Sequence, residues 1–195
     1  MEPLIAILAG GRASRMGGKK ATAELAGRPL ISYPLEAAHA ANAEIVVLAK
    51  PDTLLPALEV EVLREPSRPL HPLLGIVTAL ERAGDRAAIV VAADMPFVTG
   101  ELLAWMEGLE GPLAVPSHGG RLHPLLGRYD ASVLEGLRGA LKAETALQRA
   151  VSELGPRLIE GNELERFGDP DRLLFNVNTP EDLAEAARLL RSGAT

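Results

Sequence analysis

Gly10, Gly11, Gly17 and Gly18 are interleaved with Arg12, Arg15, Lys19 and Lys20 just after the first apolar run, Leu4 to Leu8. Glycine lets backbone amides come close to a ligand and adopt positive φ without a Cβ clash. Successive amide N–H groups beside fixed cations suit polyphosphate, which needs many donors and charge neutralisation. A tight strand-to-helix turn with solvated basic residues is the plainer alternative. Two familiar phosphate loops do not fit. Gly-x-x-x-x-Gly-Lys-Ser/Thr fails because Ala13 stands at the first glycine position and Lys20 at the hydroxyl position. Gly-x-Gly-x-x-Gly fails because Arg12 and Arg15 replace its second and third glycines.

Asp94 is the sharpest single candidate for chemistry. It follows an aliphatic run over 87–92 that reads as a buried strand. In open α/β sheets ligands bind beyond the carboxyl ends of the strands, and both Gly10 and Asp94 fall there. An aspartate at such a point suits Mg²⁺, which takes one or two carboxylates and keeps waters and substrate phosphates as its other ligands. The alternative is a structural role, capping a helix that begins near Thr99 or closing an Asx turn before Pro96. Glycine loop, cations and acid together point to phosphoryl or nucleotidyl transfer. A metal and fixed cations would neutralise charge at the α-phosphorus and on departing pyrophosphate, and positioning supplies the rest. Lys20 and Arg15 would then be electrostatic stabilisers, and no protein nucleophile is needed. Lys19 is chemically as good as Lys20, and spacing does not choose between them.

The elements that must hold these groups read as alternating strands and helices. Strands are expected over 4–8, 44–48, 60–63, 87–92 and 113–115. Helices are expected over 28–41, with Pro34 tolerated only in the first turn, and over 73–83, 99–109, 131–141 and 144–154, with a weak helical pattern over 52–58. Thr179-Pro180-Glu181-Asp182 is a strong helix start: Thr179 as N-cap, Pro180 at the first helical position and Asp182 placed for a capping box. Leu183, Ala186, Ala187 and Leu190 follow on one apolar face. The pattern predicts an α/β fold with a doubly wound, mostly parallel, Rossmann-like sheet. No linker interrupts the chain, so one domain over 1–195 is expected. The pentapeptide His-Pro-Leu-Leu-Gly occurs at 71–75 and again at 123–127, and two short matches in different contexts make no repeat.

Composition narrows the function classes. At 195 residues the chain can bury one α/β core. Hydrophobic residues reach 47 % but aromatics only 3 %, so the core must be Leu, Val, Ile and Ala, as in helices packed on a parallel sheet. The net charge of -6 and the scarcity of aromatics argue against a nucleic-acid surface. There is no cysteine, which excludes disulfides, thiolate metal sites and a Cys nucleophile. The first eight residues are too short and acidic for a signal peptide, and no run approaches the ~18 apolar residues of a membrane span. A cytoplasmic location is the default expectation.

Leu8-Ala9-Gly10-Gly11, Arg15-Met16-Gly17-Gly18, Lys20 and then Leu25-x-Gly27-x-Pro29-Leu30 resemble the signature of nucleoside-triphosphate transferases with a glycosyltransferase-A-like α/β fold. Asp94-Met95-Pro96, the His123-Pro124 pair and Asn176-Val177-Asn178-Thr179-Pro180-Glu181-Asp182-Leu183 resemble, within that group, the molybdenum cofactor guanylyltransferases. The resemblance spans nearly the whole chain. It implies transfer of GMP from Mg·GTP to the terminal phosphate of molybdopterin, with release of pyrophosphate. It also implies a nucleotide-binding half over about 1–98 and an acceptor half over about 99–195. Transient contact with proteins that deliver the cofactor or receive it would go with that activity. Leu8, Ala9, Gly10 and Gly11 would meet the nucleotide through the backbone, Lys20 would bind its phosphates, and Asp94 would bind nucleotide and Mg²⁺. Lys20 is selected over Lys19 because it immediately precedes the segment where the family places its lysine. Asn176, Asn178 and His123 would line the acceptor side. The plainer readings are local turn bonding for the two asparagines and a strand-edge histidine for His123. His39, His71 and His118 have no partners at metal-ligand spacing and read as surface residues.

The chain departs from the family pattern in three places. Lys19 stands where an aspartate usually precedes the loop lysine. Ala49-Lys50 stands where asparagine often follows the second strand. The segment from Arg64-Glu65-Pro66 to Gly75 lacks the usual aspartate. The last two regions help hold the nucleoside in relatives, so these departures bear on base choice. A CTP-dependent transferase on the same cofactor, a sugar-phosphate nucleotidyltransferase and a nucleotide-binding regulator without activity are the competing readings.

Overall fold

The structure, a computed structural model, describes residues 2–10 and 20–192. The aliphatic runs form the strands of one central sheet. In chain order these are β1 (Leu4–Leu8), β4 (Glu44–Ala49), β5 (Glu61–Arg64), β6 (Ala88–Ala92), β7 (Leu113–His118), β9 (Leu126–Tyr129) and β10 (Arg157–Ile159), with β2 (Glu24–Leu25) and β3 (Arg28–Pro29) forming a separate hairpin and β8 (Arg121–Leu122) pairing with β7. Across the sheet the order is β10-β7-β9-β6-β1-β4-β5. β1 pairs in parallel with both β4 and β6, and β5 with β4, so their carboxyl ends share one rim. β9 runs against its neighbours β6 and β7, and the short β8 against β7, while the other pairings are parallel, which makes the sheet mostly parallel, as the sequence pattern predicts.

Side chains along β1 alternate between two cores, Ile5 and Ile7 on one face and Leu4 and Ala6 on the other. The first face packs against helices α1 (Ser32–Ala40) and α3 (Gly100–Glu107), the second against α2 (Pro72–Ala83), α4 (Leu134–Lys142) and α5 (Leu147–Glu153). Helices on both faces make the sheet doubly wound. The short helices α6 (Gly161–Leu164) and α7 (Pro170–Leu173) lead to α8 (Pro180–Ser192), which closes a satellite cluster with Leu25, Leu30, Phe97 and Val177. Among the described residues no helix is long and apolar enough to cross a membrane.

Several expected boundaries move. Residues 28–31 belong to a hairpin and its exit, not to a helix: Leu25 pairs with Arg28, and the intervening Ala26 and Gly27 both take positive φ, 50° and 78°, as a primed two-residue turn requires. Pro34 accordingly falls in the first turn of α1, where its missing N–H costs nothing. The weak helical pattern over 52–58 forms no helix, because Pro56 falls inside it and removes a backbone donor. The two copies of the repeated pentapeptide adopt different structures: the first opens α2, with His71 as its N-cap, and the second leads into β9.

Candidate active site

The chain leaves β1 through Ala9 and Gly10 at the carboxyl rim. Ala9 donates to the Leu48 carbonyl at 2.8 Å, and Ala93, just past β6, donates to the Leu8 carbonyl at 3.0 Å. The ladder therefore continues past both strand ends and sets Gly10 beside the Ala93-Asp94 turn. It also engages the Leu8 carbonyl and the Ala9 N–H, which leaves the Gly10 N–H as the first backbone donor past the ladder among the described residues.

Three of the expected site residues meet here. The Lys20 ammonium forms an ion pair with Asp94 Oδ2 and donates to Asn178 Oδ1 at 2.8 Å, joining positions 158 residues apart. The side chains of Lys20 and Asp94 are 22 % and 15 % exposed, which places the pair at the mouth of the rim and not in the apolar core. The Asp94 carbonyl accepts from the Val177 N–H at 2.9 Å, clamping the 176–178 turn to the end of β6. Asp94 does not cap α3. Thr99 does, accepting from the Leu102 N–H at 3.2 Å. The other Asp94 oxygen, Oδ1, is buried without a hydrogen-bond partner among the described residues, an arrangement that costs free energy until a ligand or cation supplies one. Among the described residues no cluster of three or more metal-ligating side chains exists. A single carboxylate with a free oxygen fits Mg²⁺, which draws its remaining ligands from water and phosphate.

The asparagine turn is built from the helix start that follows it. Thr179 Oγ1 accepts from the Asp182 N–H at 3.1 Å, and Asp182 Oδ2 accepts from the Thr179 and Asn178 N–H groups at 2.9 and 2.8 Å. This capping box holds the Asn178 backbone while its side chain reaches Lys20. Asn178 also donates to the Asn176 carbonyl at 3.3 Å, and the Asn176 amide folds back on the Leu174 carbonyl at 3.1 Å. Local turn bonding thus accounts for the Asn176 side chain, whereas Asn178 does both.

His123 shares the rim without touching this group. β9 begins where β6 ends, and Ala92 donates to the Leu125 carbonyl at 2.8 Å, which carries the 123–125 segment past Asp94. The His123 imidazole is half-buried and has no hydrogen bond among the described residues. Burial, then the nearby Arg121 and His118, hold its pKa below the ordinary value. His118, read from sequence as a plain surface residue, bonds Asp171 at 3.0 Å. Gly11, Arg15 and Lys19 lie outside the described residues.

Two residues that sequence reading treated only as departures stand beside Gly10. Lys50 follows β4 and Glu65 follows β5, and both are buried, at 6 % and 5 % exposure. The Lys50 ammonium lies 3.5 Å from Glu65 Oε2 and donates to the Pro66 carbonyl at 2.8 Å and the Pro69 carbonyl at 3.4 Å. A Cβ on Gly10 would come within 2.7 Å of Glu65 Oε2, so any side chain there would push the carboxylate aside. Glu65 Oε1 is buried without a hydrogen bond. Burial pushes the Glu65 carboxyl above its ordinary range, against the opposing pull of Lys50 and, after it, of the Thr78 hydroxyl. Opposite charges one step past the ends of two adjacent parallel strands were the available signal.

The sequence model of the family described as MobA-like NTP transferase domain matches residues 5–158. A molybdenum cofactor guanylyltransferase of Cereibacter sphaeroides is 38 % identical over 196 residues, covering 96 % of this chain and 97 % of the relative. A probable molybdenum cofactor guanylyltransferase of Pelotomaculum thermopropionicum is 32 % identical, covering 97 % and 94 %. Among solved structures, molybdopterin-guanine dinucleotide biosynthesis protein A from Archaeoglobus fulgidus superposes with a TM-score of 0.83 at 27 % identity, over 97 % of this chain and 99 % of that one.

Proposed function

Because the chain belongs to the MobA-like NTP transferase family and is a nucleotidyltransferase, we propose that it transfers GMP from Mg·GTP to the terminal phosphate of molybdopterin. An acceptor phosphate oxygen attacks the α-phosphorus, the bond to the β-phosphate oxygen breaks, and pyrophosphate leaves with the electron pair. The observation that carries this reading is the Lys20–Asp94–Asn178 group, set beside the glycine that ends the first strand.

Asp94 would hold the divalent ion, through the oxygen that has no other partner. When bound, that ion supplies charge neutralisation on the triphosphate. Lys20 adds a fixed positive charge for the leaving pyrophosphate, and Asn178 orients that ammonium, so little reorganisation is left for the reaction itself. Gly10 allows the phosphates to approach the backbone. The half over 1–98 would bind the nucleotide, and the half over 99–195, through Asn178, Asn176 and His123, would face the acceptor. Glu65 supports guanine as the base. Guanine presents two adjacent donors, N1–H and its 2-amino group, which one carboxylate accepts together, whereas cytosine sets an acceptor beside its amine.

Pyrophosphate release with Mg²⁺, molybdopterin and either GTP or CTP tests the reading. Release from GTP is expected. Release from CTP alone would identify a cytidylyltransferase, and release only with a sugar phosphate as acceptor would move the acceptor class.

A further inference from the structure

Lys50 and Glu65 are the two buried charged residues among the described part of the chain, and they are buried together. Neither belongs to the Lys20–Asp94 group. Taking two charges out of water is costly, and an ion pair at 3.5 Å between groups this buried contributes little to stability against an apolar pair of similar size. Its position suggests why it is there. The carboxylate lies between two glycines at the rim: a Cβ on Gly10 would meet Oε2 at 2.7 Å, and one on Gly75 would stand 3.6 Å from Oε1. The ammonium ties Glu65 and the carbonyls of Pro66 and Pro69 to the end of β4. Lys50 is itself held from behind, because Arg64 donates to its carbonyl at 2.8 Å. One oxygen of the bracketed carboxylate, Oε1, is buried without a geometric hydrogen bond among the described residues.

We propose that Lys50 is a positioning residue for the nucleobase, fixing Glu65 and the 66–69 segment beside Gly10 so that the ionised carboxylate receives the base's N–H donors. This rests on the GTP reading above. Lys50 touches no reacting atom; it acts through Glu65. Among the described residues it is the charged group that faces Glu65, and Thr78 on α2 is the polar one. Removing the ammonium leaves a buried carboxyl with only the Thr78 hydroxyl to favour its charged form, so it takes up a proton at higher pH and ceases to be a pure acceptor.

The test is calorimetric titration of Mg·GTP into the full-length protein from about pH 5.5 to about 8.5, with steady-state turnover alongside. In the wild type, affinity falls as acid protonates Glu65. In Lys50→Met the midpoint of that fall is expected to move up by about one pH unit or more, with affinity near neutrality weakened about tenfold. KM rises while kcat stays within about threefold, as for loss of an interaction made equally in ground and transition states. Lys50→Arg should restore the wild-type profile, and Lys50→Met with Glu65→Gln should have no such midpoint. A Lys50→Met protein with wild-type affinity and an unmoved midpoint overturns the proposal. Should circular dichroism show that variant unfolded, Glu65→Gln decides: weakened, pH-independent GTP binding is expected, and wild-type affinity with the acid limb intact overturns it. Failure of the wild type to bind Mg·GTP, or a preference for CTP, would instead strike the GTP reading itself.

Discussion

Asp94 carries two obligations at once, a carboxylate oxygen for Lys20 and a second, buried one without a partner among the described residues. Asp94→Asn keeps the shape and removes the charge, so metal-dependent turnover should fall by at least about a hundredfold, while the thermal transition holds because the side chain stands outside the apolar core. Full turnover in that variant would remove Asp94 from the site. Lys20→Ala should cost kcat/KM by a similar factor and more than Lys19→Ala; equal losses would mean that the other lysine binds the phosphates. His123 makes a different prediction. Its pKa is held below the ordinary 6.5 by burial, then by Arg121 and His118, so the unfolded chain takes up the proton first as pH falls. The stability from its neutral form is complete above the unfolded-state value and is lost as pH drops toward the folded one. Denaturant titrations across that window should show a slope that His123→Asn flattens, and an unchanged slope would place the proton uptake elsewhere.

At the scale of elements, the strand ends and one helix start position everything. The capping box of α8 is the clearest case, since one oxygen of Asp182 accepts from two backbone N–H groups, one of them Asn178's. Asp182→Ala should therefore cost about 1–2 kcal/mol of stability and also lower turnover, because Asn178 loses its hold and with it the bond to Lys20. Loss of stability with turnover intact would separate the cap from the site. β1, β4 and β6 and the α8 start were legible because burial on both faces writes a continuous aliphatic run and because Thr-Pro-x-Asp is local chemistry. The β2–β3 hairpin was not: Arg28-Pro29 mimics a helix start, and its turn uses Ala26 at positive φ in place of the Asn-Gly that would have announced it. β10, three residues at the sheet edge, is too short for a period to show. Lys50 and Glu65 escaped for another reason. Each is an ordinary surface type, and only the parallel pairing of β4 with β5 makes them neighbours.

Over the whole molecule, parallel pairing gathers the exits of β1, β4, β5 and β6 on one rim, and the reversed strand β9 brings His123 to the same side. That arrangement lets a chain of net charge -6 bring Lys20 and Lys50, each beside a carboxylate, to one rim without a basic face. On the proposed reading the ligand would lie along this rim, with Glu65 and Lys50 toward the base, Gly10 and Lys20 at the phosphates, and Asn178 and His123 toward the acceptor. The most direct check is a crystal grown with Mn²⁺ and GTP and measured at the manganese absorption edge. An anomalous peak on the Asp94 carboxylate, with the triphosphate between it and Lys20 and the guanine over Glu65, is the expected result. A metal peak away from Asp94, or a nucleotide bound at the opposite rim of the sheet, would contradict the account.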